Sequence, residues 1–333
     1  MLTQTLLESL EKAFSKARIA VIGDLMLDRY MFGSVSRISP EAPVPILDIY
    51  DEEYRLGGAA NVAHNILTLG ASPVLIGVVG DDAKGTRTRH ILSGLGFSVD
   101  GIITDPERPT TVKTRVVAGS QQMLRIDHEK KHAISETTET ALLKVLNAEI
   151  ASLDGIILED YNKGVLTKRV IHSIIALANE RGIPVFVDPK HNHFFEFKNV
   201  CVFKPNKKEI EDALGMKLST ADQQHKAGFK LLELLQAEHV LLTLSEKGML
   251  LFEQGNSEPF GIPTRARKVA DVSGAGDTVI ATLAVAKACG ASVREAAMIA
   301  NRAAGLVVEE LGIIPIEKNA LFEALYEDLE EAN

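Results

Sequence analysis

The sequence predicts an α/β fold, a mostly parallel sheet covered by helices on both faces, with a small β appendage. Three observations carry this. From about residue 135 onward, short apolar runs alternate with helical stretches, the pattern of strands joined by crossover helices. A polar, glycine-bearing turn, Asp271 to Thr278, runs straight into an apolar helical segment, Val279 to Ala288. Residues 30–50 differ, with three prolines and β-type alternation but no helical period, as edge strands outside a main sheet would have.

The elements follow in order. Leu2, Leu6, Leu10 and Phe14 share one face of an N-terminal packing helix that includes acids and lacks a signal-peptide core. Arg18 to Gly23 is an apolar run ending in Gly-Asp, a buried strand that leaves Asp24 and Asp28 near its C-terminal end, where ligands of open α/β sheets collect. Gly57 and Gly58 open a helix through about Leu69 with Asn61 in its first turn; the paired glycines let backbone press on a ligand or on a neighbouring strand. Residues 73–80 and 81–95 form the next strand and helix. Gly80 to Thr86 has Walker-like glycine spacing but no lysine after the second glycine, and is discounted. Residues 111–126 read as a hairpin turning at Ala118-Gly119-Ser120, joined with 30–50 in the appendage. A helix over 135–151 precedes strands at 154–159, 183–188, 200–204 and 239–244 and helices at 167–181, 206–214 and 221–237; helices 274–288, 292–310 and 317–330 close the chain.

With 333 residues, 46% hydrophobic, and a net charge of −9, the chain buries a sizeable core and lacks the basic face that nucleic acid requires. No apolar run approaches the roughly 20 residues that span a bilayer, so no membrane partner is expected. Cys201 and Cys289 lack CxxC spacing and read as reduced core residues of a cytoplasmic protein. His191 and His193, two residues apart without further ligands, are weak evidence for a metal.

The chemistry concentrates at the strand ends. At the turn before Val279, only Gly274, Ala275 and Gly276 intervene between Ser273 and Asp277, so the backbone can approach an anion closely. First-turn N–H groups have no intrahelical acceptor and cradle phosphate with the helix dipole. A carboxylate beside such a cradle suits base catalysis on a hydroxyl attacking a phosphoryl group. The bland alternative makes Ser273 a helix cap and Asp277 an ordinary first-turn acid. Loops after the later strands carry Glu159, Asp160 and Lys163, then Asp188 and Lys190, Asn206 and Glu209, and Thr243, Ser245 and Gly248, which one crevice can gather.

Three motifs stand in the order of the ribokinase-like (PfkB) family of sugar kinases. Gly57-Gly58-Ala59-Ala60-Asn61 resembles its N-terminal signature, Asn206-Lys-Lys-Glu209 its Asn-x-x-Glu motif, and Asp271 to Asp277 its C-terminal signature. Arg37 to Pro45, Lys113 to Val117, Leu124 to Asp127 and Asp160 to Val165 resemble the heptose 7-phosphate kinase branch. The chain departs from the family's Thr-Leu-Gly at Thr243-Leu244-Ser245.

The resemblance implies a ribokinase-like three-layer sandwich with a small β lid over residues 30–50 and 111–126, one kinase domain over 1–333. It implies transfer of the ATP γ-phosphate to the anomeric hydroxyl of D-glycero-β-D-manno-heptose 7-phosphate, for ADP-heptose and lipopolysaccharide core synthesis. The second, nucleotidyltransferase domain of many relatives is expected to be absent, as no HxGH-like motif occurs. Asp277 would be the general base, with the N–H groups of Gly274, Ala275 and Gly276 as anion hole. Asp24, Gly58, Asn61 and Asp160 would hold the sugar, with Lys163, Lys190 and the appendage arginines as candidates for its phosphate. Asn206, Thr243, Gly248, Gly274, Gly276 and Asn301 would face the nucleotide, and Asn206 with Glu209 would organise Mg2+ through water. A monovalent cation such as K+, and a homodimer paired through the lids, accompany the family pattern. Rival expectations are another sugar kinase, for ribose, fructose or a hexose phosphate, and a nucleotide-binding protein without catalysis. A nicotinamide dehydrogenase is disfavoured, because no Gly-x-Gly-x-x-Gly follows the first strand.

Overall fold

The computed structural model describes residues 2–119, 121–265, 270–310 and 312–332. Ser120, the end of the expected hairpin turn, lies outside the described residues, as does Val269. The first half of the chain runs α1 (Gln4–Ala13), β1 (Arg18–Gly23), β2 (Leu25–Ile38), β3 (Pro45–Gly58), α2 (Ala59–Thr68), β4 (Ser72–Gly80), α3 (Ala83–Gly94), β5 (Ile102–Asp105), β6 (Val112–Ala118), β7 (Gln121–His128) and α4 (Glu136–Glu149). The second runs β8 (Gly155–Glu159), α5 (Lys168–Arg181), β9 (Val185–Asp188), β10 (Val202–Phe203), α6 (Lys207–Leu214), α7 (Ala221–Leu235), β11 (His239–Thr243), β12 (Met249–Glu253), β13 (Phe260–Ile262), α8 (Ala275–Ala288), α9 (Val293–Val307) and α10 (Lys318–Ala332).

Among the described residues, nine strands form one sheet in the order β13-β12-β11-β10-β9-β8-β1-β4-β5. The seven from β11 to β5 are parallel, and β12 and β13 add an antiparallel edge. Strand β1 shows why the sheet is covered twice. Ile19 and Val21 pack into one apolar cluster with α1, α2, α8, α9 and α10, while Ala20 and Ile22 pack into another with α4, α5 and α7. Successive side chains point to opposite faces, so a strand apolar at every position needs helices on both sides. The result is the expected three-layer sandwich.

Strands β5, β12 and β13 were not anticipated. They are three to five residues long and lie at or near the sheet's edges; β5 and β13 are too short to show a period, whereas Met249 to Phe252 of β12 is an apolar run like those of the anticipated strands.

The second sheet, in the order β3-β2-β6-β7, is the lid. It exceeds the expected bounds: β2 and β3 cover 25–38 and 45–58 rather than 30–50, and β7 reaches His128. The Asp51-Glu52-Glu53 run hid the continuation of β3, since these exposed acids break apolar alternation without breaking the strand. Pairing places Asp28 opposite Lys113 and Tyr30 opposite Arg115, and these two pairs share one lid face. Leu124 and Ile126 pair with Val116 and Thr114, on the other face.

Candidate active site

The C-terminal ends of β1, β8 and β9 deliver Asp24, Glu159 and Asp188 to one crevice, and the N-terminus of α8 closes on it. Gly274 is the N-cap of α8 at φ 82°, a left-handed conformation natural to glycine, and no side chain caps the helix. Ser273 is not the cap that the bland alternative requires; its N–H donates to Asp271 Oδ1 at 2.9 Å. The regular helical bonding begins with the Thr278 N–H donating to the Gly274 carbonyl, the Ala275 N–H makes a long 3.4 Å bond back to the Val272 carbonyl, and Gly274, Ala275 and Gly276 line the crevice. A Cβ at Gly274 would lie 3.3 Å from Asn61 Nδ2, which shows how closely α2 and α8 approach here.

Asp277 is 5% exposed. Its Oδ2 accepts from Asn61 Nδ2 at 2.7 Å and its Oδ1 from the Tyr161 hydroxyl at 2.9 Å. Burial pushes its pKa up to about 6; nearby Asp188 pushes the same way, while the two hydrogen bonds and Lys204 oppose. The carboxylate is thus mostly ionised at neutral pH yet basic enough to take a proton, which suits a general base.

A cavity of about 440 Å³ opens beside Asp277. Its lining includes every residue expected on the nucleotide side: Asn206, Thr243, Gly248, Gly274, Gly276 and Asn301. Gly248 stands at φ 81°, where a Cβ would lie 2.1 Å from the Ile262 carbonyl oxygen, so only glycine fits between β12 and the end of β13. Ser245, in place of the family's glycine, adopts φ 54°, a left-handed conformation costly for a non-glycine residue. Asn301 donates to the Pro263 carbonyl at 2.8 Å, which pins the loop after β13 to α9.

On the other side, Asp24 is buried, and its two oxygens accept the N–H groups of Tyr161, Lys163 and Val165 at 2.8, 2.9 and 3.1 Å. It shapes the 161–165 loop rather than presenting a free carboxylate. A Cβ on Gly58 would lie 2.4 Å from the Asp24 carbonyl oxygen, and one on Gly57 would lie 2.3 Å from Asp28 Oδ2. The glycine pair thus packs closely against β2 and the end of β1. Asp160 keeps Oδ2 without a partner, while Oδ1 accepts from the Asn162 N–H at 2.7 Å; burial and Asp24 raise its pKa to about 7. Lys163 pairs with Glu129 at 2.7 Å, and Lys190 pairs with Glu209.

Asn206 and Glu209 form a reciprocal capping box on α6. Asn206 Oδ1 accepts the Glu209 N–H at 2.9 Å, and Glu209 Oε2 accepts the Asn206 N–H at 2.8 Å. With Oε1 on Lys190, both Glu209 oxygens are engaged. A second carboxylate group fits a metal better. Glu159, Asp188 and Asp277 are all buried, with ligand oxygens within 4.8 Å of one another, and neither Glu159 oxygen has a partner. Burial, then Asp188 and Asp277, push the Glu159 pKa well up, a cost that a cation would relieve. Buried Lys204, 2.7 Å from Asp188, supplies one positive charge.

Sequence reasoning noted Glu159 and Asp188 as loop polar residues without giving them a role, and passed over Tyr161 and Lys204. A lysine closing the apolar run Val200 to Phe203 was the available signal for Lys204. Among the described residues, His191 and His193 belong to no ligand cluster, while Cys201 gathers with Glu238 and His239. Burial and Glu238 push the Cys201 thiol to about 12, and burial pushes Cys289 to about 11, so both are protonated and unreactive near neutrality. Asp82, not a phosphate, fills the Walker-like turn: it caps α3 through the Gly85 N–H at 2.7 Å. No helix among the described residues is long and apolar enough to cross a membrane.

Solved structures share the architecture. The ribokinase of Arabidopsis thaliana, complexed with ribose and ATP, matches with a TM-score of 0.73 at 22% identity, covering 93% of this chain and 98% of that one. Phosphofructokinase-2 of Escherichia coli, in complex with potassium, matches with a TM-score of 0.75 at 20% identity, covering 94% and 99%. These likenesses show the ribokinase-like fold. In sequence, the chain is 44% identical over 308 residues to the bifunctional protein HldE of Geotalea uraniireducens, covering 92% of this chain and 63% of that protein. It is 45% identical over 292 residues to the HldE protein of Geobacter sulfurreducens, covering 88% and 59%. The chain thus spans about three fifths of the length of these curated relatives. The family model for pfkB carbohydrate kinases matches residues 16–319, nearly the whole of the two-sheet structure that builds the crevice, and the chain accordingly belongs to the pfkB family of carbohydrate kinases.

Proposed function

We propose that this carbohydrate kinase transfers the γ-phosphate of ATP to the anomeric hydroxyl of D-glycero-β-D-manno-heptose 7-phosphate, giving the 1,7-bisphosphate for ADP-heptose and lipopolysaccharide core synthesis. The observation that carries the chemistry is the Asp277 carboxylate, held by Asn61 and Tyr161 at the uncapped N-terminus of α8 and opening onto a cavity of about 440 Å³. The heptose assignment rests on the four motifs of that branch and on 42–45% identity to relatives sharing the name HldE. Residues 1–333 act in this reading as one kinase domain with its lid, and a cytoplasmic location fits a reaction that consumes ATP.

ATP occupies the cavity between Thr243, Gly248 and Asn301, with its phosphates toward α8. The sugar lies under the lid, near Asn61, Gly58 and Asp160. As the sugar oxygen attacks the γ-phosphorus, its proton passes to Asp277 and the bond to the ADP oxygen breaks. The N–H groups of Gly274, Ala275 and Gly276, with the Lys204 ammonium, stabilise charge on the transferring group. Asp188 and Glu159 would hold Mg2+, with Asn206 and Glu209 reaching it through water; when bound, the ion neutralises phosphate charge. Lid closure excludes water that would otherwise hydrolyse ATP. The outer lid face, with Leu124 and Ile126 half exposed, pairs with a second copy of the chain.

The test is sugar-dependent ADP release with Mg2+ and K+ present, comparing heptose 7-phosphate, free heptose, mannose, fructose 6-phosphate and ribose. Heptose 7-phosphate should give the highest kcat/KM. Faster turnover of ribose or fructose 6-phosphate would end the heptose reading and keep the kinase.

A further inference from the structure

Around the crevice, three of the cations offered for the substrate's phosphate already have partners. Lys163 is held by Glu129 at 2.7 Å, Lys190 by Glu209, and Arg115 by Asp28. Lys113 differs. It lies on β6 between Asp28 of β2 and Asp127 of β7, on the lid face shared with Arg115. Asp127 is held by Arg125 at 2.9 Å. Among the described residues the Lys113 ammonium makes no ion pair and no side-chain hydrogen bond, and its contact is with the Tyr161 ring, 5.2 Å from Nζ to the centroid.

Its surroundings favour an anion. The two carboxylates acting on it most directly are Asp28 and Glu129, each already paired with another cation. Lys163 and Arg115 add positive charge around it, and Lys190 stands 5.4 Å from the same Tyr161 ring. Burial holds the ammonium below the ordinary lysine range, and Lys163 and Arg115 push the same way. A partly buried ammonium without a counter-ion is costly, and a bound anion removes the cost.

Position selects the anion. Asp277 and the Lys113 ammonium are neighbours of one side chain, Tyr161, the first bonded to its hydroxyl and the second set against its ring. A sugar whose anomeric hydroxyl sits at Asp277 and whose far carbon carries phosphate would turn that phosphate toward the ammonium.

We propose that Lys113, unpaired among the described residues and set on the inner face of the lid, is the primary anchor for the phosphate that the sugar substrate already carries. This rests on the heptose 7-phosphate reading. It identifies the lid as the part that separates phosphorylated from free sugars, because Lys113 arrives only with β6.

The test compares kcat/KM for heptose 7-phosphate with kcat/KM for free heptose, in the wild-type chain and in Lys113→Met, Lys113→Gln and Lys113→Arg. Each charge-assisted contact is worth a factor of roughly ten or more. The wild-type preference for the phosphorylated sugar should therefore shrink at least about tenfold in Lys113→Met and Lys113→Gln, mainly through KM, and Lys113→Arg should restore most of it. Calorimetric binding of heptose 7-phosphate without ATP should weaken in parallel, a readout that survives any loss of turnover. A strong wild-type preference left intact in both neutral variants, with circular dichroism showing them folded, overturns the role of Lys113 while leaving the substrate reading in place. A wild-type enzyme indifferent to the sugar's phosphate defeats the substrate reading and this inference with it.

Discussion

Strands β1 and β8 of the nine-stranded sheet are buried almost throughout, whereas β7 of the lid is exposed at every position. The first sheet has helices on both faces. The second has the crevice on one face and, among the described residues of a single chain, little on the other. In the proposed reaction this contrast divides the work. Groups that must hold position to a fraction of an ångström, Asp277 and the α8 N-terminus, are seated on the doubly covered sheet. Groups that must come and go with the sugar, Lys113 and Arg115, ride on the sheet with fewer buried contacts. Low local burial is where opening is cheap, which a lid requires.

The largest expected effect lies on the rigid side. Asp277→Asn keeps the shape of the side chain and removes the proton acceptor, so kcat should fall roughly 10²–10⁴-fold while ATP still binds. In the wild-type chain kcat/KM should fall as pH drops through about 6, where Asp277 takes up its proton. That limb should be missing from the residual activity of the variant. Near-normal turnover by Asp277→Asn would remove this carboxylate from the base role and, with it, the claim that the covered sheet carries the chemistry.

On the lid the expected change is in assembly. Leu124 and Ile126 are 55% and 50% exposed on the face turned away from Lys113, an arrangement that a second lid would cover. Replacing both with glutamate should convert a dimer to a monomer in sedimentation at micromolar concentration, about a twofold change in mass. A wild-type chain that sediments as a monomer would mean that the lid's outer face is left uncovered, and the contrast between the sheets would be sharper than proposed.

The sequence made the covered sheet legible and the lid only partly so, for a physical reason. Burial on both faces forces continuous apolar runs such as Ile19 to Ile22, and the helices between them announce themselves through caps such as Ser135 and Thr167. The glycine turn and the helix that starts beside Asp277 were equally readable, since a helix N-terminus is written in local residues. The lid is held by backbone pairing, which tolerates the acids at 51–53, so its strands ran past the expected ends. Pairing between distant residues was also invisible. Nothing in one sequence says that Lys163 and Lys190 meet Glu129 and Glu209, that Asp24 serves a loop 137 residues away, or that Glu159 faces Asp188 without a hydrogen-bonding partner.

The smallest effect separates function from stability within the covered sheet. A carboxyl whose pKa rises on folding from an ordinary 3.8 to about 6 is ionised at a cost to the fold. That cost is fully present above about pH 6 and is relieved as pH falls through 6 toward 3.8, because the folded state then gains the proton the unfolded state does not yet hold. Its upper bound is about 3 kcal/mol, and the Asn61 and Tyr161 hydrogen bonds are already included in the raised value. Asp277→Asn carries no charge at any pH and keeps an oxygen for the Tyr161 hydroxyl, while the Asn61 amide can turn to accept from the new amide. Its Tm should therefore exceed that of the wild type by a few degrees at pH 8, and the gap should close toward pH 5. Calorimetry of both proteins across that range decides it. A variant that melts lower than the wild type at pH 8, or a gap independent of pH, would mean that the buried carboxylate stabilises the crevice and that no stability is given up there for catalysis.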